Sequence, residues 1–166
     1  MRAQPLVLLA ALCLLAADAP SKAKPEPGKS ALSKEEQAKL QRAEKRNLDR
    51  WQGTFKLVAA YNEGEAMSAD EMAKRKLTVK GDEYHFQNGS FSEHGKYKFD
   101  VSVRPKQVDI IVGDGKDKGK VYKAVFDATD QGVMICFEKA NTKRPTGFVA
   151  LKGTGCISET WARVKE

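Results

Sequence analysis

The chain has 166 residues, which leaves room for one domain and an N-terminal extension. A charged fraction of 31% and a hydrophobic fraction of 41% are those of a globular protein and exclude a low-complexity or fibrous one. The net charge of +7 comes from lysines spread along the chain and alternating with apolar residues, so no nucleic-acid platform of interleaved Arg and aromatic residues is expected.

Residues 1–19 read as a signal peptide. Arg2 supplies a minimal positive start. The apolar run Leu6 to Ala17 is too short to span a bilayer as a helix and suits an h-region. Ala17-Asp18-Ala19 fits the small-x-small cleavage rule, with cleavage after Ala17 as the alternative. Cys13 follows Leu12, where a lipobox needs a small residue. The expected location is therefore outside the cytoplasm: periplasmic, in the cell envelope, or secreted. No later run approaches membrane-spanning length, so no transmembrane segment is expected.

Residues 20–32 hold Pro20, Pro25, Pro27 and Gly28, the composition of a disordered linker. Ser33 and Glu36 have capping-box spacing and open a charged helix over 33–50. Its apolar positions, Ala38, Leu40, Ala43 and Leu48, make a thin stripe. Such a helix packs lightly on the domain, acts as a spacer, or meets an anionic surface.

From residue 51 to 166 the period becomes two. The first strand puts Phe55, Leu57, Ala59 and Tyr61 on one face, in phase with Trp51 and Gly53. A second capping box, Ser68 to Glu71, opens a short helix. Leu77 and Val79 mark the second strand, and Gly81-Asp82 a turn. Tyr84 and Phe86 face inward on the third, with His85 outward, and Asn88-Gly89 signals a hairpin. Tyr97, Phe99, Val101 and Val103 alternate along the fourth strand, which Arg104-Pro105 ends. Val108, Ile110 and Val112 form the fifth. Gly113 to Lys120 is a polar loop. Val121 to Asp127 form the sixth strand and Val133 to Glu138 the seventh, apolar on both faces and so central or covered. A short apolar piece, Phe148 to Leu151, precedes a last strand over Thr160 to Lys165. Eight strands at hairpin spacing predict an all-β fold, an antiparallel meander closing into a barrel. Phe55, Leu57, Tyr84, Phe86, Tyr97 and Phe99 then face the interior, where they either fill it or line a pocket.

Export makes Cys136 and Cys156 a candidate disulfide, worth about 3 kcal/mol on the chain-entropy account. The alternative is a buried thiol at Cys136, which Ile135 and Phe137 favour. His85 and His94 lack partners at zinc spacing, and Asp114 to Asp117 lacks the acidic alternation of a calcium loop. No nucleophile-elbow, zincin or P-loop motif occurs. No cofactor, metal or catalytic residue is assigned, and the protein is not expected to be an enzyme. An enzyme would need Asp, Glu, Tyr or Arg converging from distant strands in the barrel mouth.

The segment Trp51-Gln52-Gly53-Thr54-Phe55-Lys56-Leu57-Val58 resembles the Leu-Gln-Gly-Thr-Trp-x-Val-Val opening of the planctomycete-type lipocalin-like domain family. Leu77 to Tyr84, the loop Gly113 to Lys120, Val133 to Phe137, and Arg144-Pro145-Thr146-Gly147-Phe148 resemble later segments of that family in the same order. The resemblance covers residues 48–166. It departs at Phe55, where the family carries tryptophan and this chain has one four residues earlier, and at Cys156, where the family pattern is more often polar. It implies an exported lipocalin-like barrel and supplies no catalytic residue. Arg144 is then either an anion contact or a solvated or carboxylate-paired side chain beside the turn fixed by Pro145. Two functional readings follow. One is a binding module holding a small apolar or amphipathic ligand in the barrel. The other is a cell-envelope module that meets an anionic polymer or a partner protein through its basic surfaces.

Overall fold

A computed structural model of the chain describes residues 33–165. The signal peptide and linker assigned to residues 1–32 lie outside the described residues.

The helix α1 (Lys34–Trp51) starts as its sequence demands. The Glu36 N–H donates to Ser33 Oγ at 3.2 Å and the Ser33 N–H to Glu36 Oε2 at 2.8 Å, so two otherwise orphaned donors are satisfied. Its last residue is Trp51, which the sequence reading had placed in the strand domain. Beyond Gln52 the chain turns into β1 (Gly53–Asn62). A two-residue strand β2 (Glu65–Ala66) and a short helix α2 (Ala69–Ala73) follow, α2 capped by Ser68 and Glu71 as expected. The remaining strands are β3 (Arg75–Lys80), β4 (Glu83–Asn88), β5 (Phe91–Asp100), β6 (Lys106–Val112), β7 (Val121–Ala128), β8 (Gly132–Glu138) and β9 (Cys156–Arg163). A single 3-10 turn, Gly115–Asp117, lies in the polar loop between β6 and β7.

Among the described residues these strands form one antiparallel sheet. From β3 to β9 each strand pairs with the next, β3 pairs with β1, and β1 also pairs with β9, so eight strands close into a barrel with β2 as an outlying ribbon on β1. Closure leaves no long free edge. Alternation then sorts the residues. Phe55, Leu57, Leu77, Val79, Tyr84, Tyr97, Val108, Ala124, Phe126, Val133, Ile135 and Trp161 form the interior core, and Phe86, Phe99, Ile110 and Phe137 pack against it half-buried.

Three strand expectations are corrected. In β1 the register against β9 shifts between Leu57 and Ala59. The bulge inserts one residue and reverses the phase, so Ala60 rather than Ala59 is buried and Tyr61 turns outward. The fourth predicted strand begins six residues earlier than its first marker, at Phe91, and stops at Asp100, which accepts from the Ser102 N–H and hydroxyl at 2.9 and 2.6 Å and turns the chain out before Val103. The last strand spans Cys156–Arg163 rather than Thr160 to Lys165. Gly95 is required inside β5. A Cβ there would meet the Ile111 carbonyl and approach Tyr84 Cε1 to 2.8 Å, so glycine lets the Tyr84 ring lie against the strand.

The outer face of β7–β9 is covered, as the two-sided apolarity of β8 predicted. Val125, Cys136, Ala150 and Cys156 form a second small core with Phe148 packed on it. The loop that supplies Phe148 and Ala150 is tied down near its start. The Glu138 carboxylate accepts from the Thr142 N–H and hydroxyl and the Lys143 N–H at 2.7, 2.6 and 2.8 Å, and these bonds hold its pKa below the usual carboxylate value. Arg144 donates to the Val108 carbonyl at 3.0 Å and the Ala124 carbonyl at 2.6 Å and pairs with Asp109.

Candidate functional site

Strand direction gives the barrel two distinct ends. At one end α1 arrives, β3 and β5 finish, and β1 begins. At the other, β3, β5, β7 and β9 begin.

The α1 end is sealed. Trp51 is 1% exposed, with its ring 4.7 Å from Tyr97, 5.3 Å from Phe99 and 5.6 Å from Phe126. Arg50 donates to Asp130 Oδ1 at 3.0 Å and to the Ala128 carbonyl, and the Gln52 amide bonds the Gly81 N–H and carbonyl at 2.7 and 3.0 Å. Arg163 lies over the Phe55 ring and donates to the backbone carbonyls of Arg50, Gln52 and Asp130. Phe55 is buried in β1, and Trp51 from the helix fills the end of the barrel.

The other end contains a half-enclosed cavity of about 210 Å3. Period-two alternation aims Arg75 and Leu77 of β3, Tyr84 and Phe86 of β4, Glu93 and Tyr97 of β5, Tyr122 of β7, Phe137 of β8, and Ile157, Glu159 and Trp161 of β9 into it. Met67 and Met72, from the β2–α2 excursion, pack against the core beside β1. The aromatic side chains are arranged in contact: Tyr84 stacks on Tyr97 at 4.8 Å, Phe86 meets Trp161 edge-on at 6.2 Å, and Tyr122 meets Phe137 at 6.3 Å.

Two carboxylates enter this apolar space. Glu159 is 8% exposed and accepts from Arg75 Nη1 at 3.2 Å and from the Trp161 indole N–H at 3.1 Å. Burial pushes its pKa above the ordinary value even though both partners favour the ionised form. Glu93 accepts from the Tyr84 hydroxyl at 2.8 Å and has no cation within ion-pair distance among the described residues. Burial first, then the hydrogen bond to Glu93 and its charge, push the phenol of Tyr84 up; burial first, then Tyr84 and Glu159 ahead of Glu93, push that of Tyr97 up, so neither ionises readily. Tyr122 is raised as well, by burial and then by the charge of Asp117, which accepts from its hydroxyl at 3.4 Å. The Arg75 Nε is buried without a protein partner among the described residues.

The candidate residues named from sequence therefore divide. Tyr84, Phe86 and Tyr97 line the cavity, and Leu77 joins them. Phe55, Leu57 and Phe99 belong to packed core, the first and last of them toward the sealed end. Arg144 is the carboxylate-paired side chain of the two alternatives, and Arg144, Pro145, Thr146 and Phe148 lie on the loop that covers the outer face. Cys136 and Cys156 lie on the same outer face as buried thiols, and burial together with the adjacent Cys156 pushes the Cys136 thiol up to about 12. His85 and His94 face each other across β4 and β5 outside the barrel, with His94 Nδ1 2.8 Å from Asp114. Arg75, Glu93, Tyr122, Glu159 and Trp161 were not assigned to the site from sequence. For three of them the signal was present. Carrying the Leu77/Val79 phase back two residues reaches Arg75, and carrying the Tyr97/Phe99 phase back through Gly95 reaches Glu93. Starting the last strand four residues earlier puts Glu159 in phase with Trp161.

An Arg, two Glu and three Tyr thus converge at the mouth, the constellation that sequence analysis reserved for an enzyme. Both carboxylates already accept hydrogen bonds from protein donors, and the phenols are held protonated. No group of three or more His, Cys, Asp and Glu side chains is placed to hold a metal among the described residues. No helix of the described residues is long and apolar enough to cross a membrane. Comparison with protein-family models, curated proteins and solved structures gives no match.

Proposed function

We propose that the protein is an exported, non-catalytic lipocalin-like module that holds a small, partly apolar molecule in the barrel mouth, and that it belongs to the planctomycete-type lipocalin-like family. One observation carries the binding reading: the barrel is plugged by Trp51 at one end and hollow at the other, with about 210 Å3 bounded by aromatic rings and a few polar groups. Export is supported by the sequence of residues 1–19, and the family by the ordered segments from Trp51 to Phe148. The polymer-binding alternative draws less support. In α1, Lys39 pairs with Glu35 and Lys45 with Asp49, so two lysines of the helix that this reading uses together with the strand faces are locally neutralised.

Native mass spectrometry of protein purified from its own host tests the binding reading. The expected result is a small-molecule adduct that is released on unfolding and lost in Ile157→Trp, which fills the mouth. An adduct equal in both proteins, or absent from both, overturns it.

A further inference from the structure

The polar groups of the cavity are not balanced, and the imbalance selects a ligand. Arg75 is the one cationic side chain in the lining, and its Nη1 is committed to Glu159 at 3.2 Å. Glu93 faces the same space with one hydrogen bond, from Tyr84 to Oε1; its Oε2 accepts none among the described residues. With both carboxylates ionised the lining carries one uncompensated negative charge, on a protein whose overall charge is +7. Around it stand Tyr84, Phe86, Tyr97, Tyr122, Phe137 and Trp161, whose ring faces add negative potential.

We propose that the mouth takes a small organic cation, a primary or quaternary amine on a compact apolar body, seated between the Glu93 carboxylate and the surrounding rings. The proposal rests on the binding reading above and gives that ligand a class. An anion is repelled by Glu93 and meets an Arg75 whose charge is already offset by Glu159, although its Nε still lacks a protein acceptor among the described residues. A neutral apolar guest displaces water from Glu93 and leaves a desolvated carboxylate with no counter-charge, which is costly. A cation removes that cost and gains the ring faces as well. The Glu93 charge is felt by all three phenols of the lining, although burial is the first cause of the rise in each. The volume is that of about seven waters at ~30 Å3 each, room for an amine head and one ring.

Titration with phenethylamine, 2-phenylethanol and phenylacetate tests the class, because the three share a ring and differ in charge. Calorimetry gives affinity, and fluorescence of Trp51 and Trp161, which both line the cavity, reports occupancy. Phenethylamine is expected to bind about tenfold more tightly than the alcohol, with the acid weakest. Glu93→Gln keeps an acceptor for Tyr84 and is expected to bring the amine down to the level of the alcohol at an unchanged thermal midpoint. If that midpoint falls, Phe86→Leu decides instead, and it should weaken the amine more than the alcohol. Alcohol binding equal to or tighter than amine binding overturns the cation assignment and leaves the binding reading standing. An amine preference that survives both substitutions overturns the placement at Glu93. No binding of any of the three at millimolar concentration overturns both.

Discussion

At the α1 end of the barrel two guanidinium groups reach the backbone: Arg50 and Arg163 donate to carbonyls of Arg50, Gln52, Ala128 and Asp130, and a tryptophan fills the space beneath them. At the mouth, charged groups meet other side chains across an unfilled volume: Arg75 with Glu159, Tyr84 with Glu93. Both ends are rich in aromatic rings, yet only one is packed. Carbonyls of the α1 end, of Ala128 and of the turn after β7 belong to the main chain and cannot swing away as side chains can, so a guanidinium bound to them locks the end shut. Side-chain pairs that leave an oxygen unpaired hold a shape while remaining able to accept a guest. The difference separates a packed end of the barrel from an end with unfilled volume, where the proposed ligand would sit.

The largest expected effect tests the sealed end. Trp51→Ala removes the side chain that touches Tyr97, Phe99 and Phe126, and should cost about 3–5 kcal/mol in chemical denaturation. Phe86→Leu, at the mouth, should cost under ~1.5 kcal/mol because its ring borders space rather than filling it. Equal costs would mean that the mouth is as tightly packed as the plug.

A smaller effect tests the ion pair. Arg75 and Glu159 side chains are 21% and 10% exposed, so solvent reaches the pair only in part. Arg75→Met leaves Glu159 buried without its cation and should cost about 2 kcal/mol, less than a fully buried pair would. Arg75→Met combined with Glu159→Met removes both charges and should recover most of that loss. A double variant as unstable as the single one would show that packing of the Arg75 stem, and not its charge, is what matters.

The contrast between the ends also decides what was legible in the sequence. The barrel was readable because closure and burial impose period two on every strand, and residues such as Tyr97, Val108 and Phe126 obey it. The helix ends were readable because Ser33 and Ser68 each have a glutamate at capping distance. The bulge after Leu57 was not, since Ala59 and Ala60 differ in nothing that periodicity can sense. The mouth was hidden for a related reason. Where a strand's inward face carries Arg75, Glu93 or Glu159, hydrophobic alternation stops, and the strand seems to begin later than it does. The polar mouth of this barrel is thus where the apolar pattern fails first. Trp51 misled in the opposite sense: in phase with Phe55, it was counted with the strand although it ends the helix and enters the barrel from outside the sheet.

The smallest effect concerns protons. An acid whose folded pKa lies above its ordinary value of 4.5 makes the folded state bind more protons than the unfolded one between those two values, so stability falls as pH rises through that window and levels off above it. Glu159 is such an acid, through burial, and Glu159→Gln has nothing to ionise. Carboxylates held below the ordinary value, such as Glu138 with its Thr142 and Lys143 donors, give the opposite slope, but they are common to both proteins. Arg75 stays charged throughout, so loss of its partner adds an offset and no slope. The stability of wild type minus that of the variant, measured by denaturation from pH 4.5 upward, should therefore decline and then flatten. A flat difference would mean that Arg75 and Trp161 fully offset the burial of the carboxylate. The mouth would then be no more strained electrostatically than the α1 end, and the distinction between the two ends would rest on packing alone.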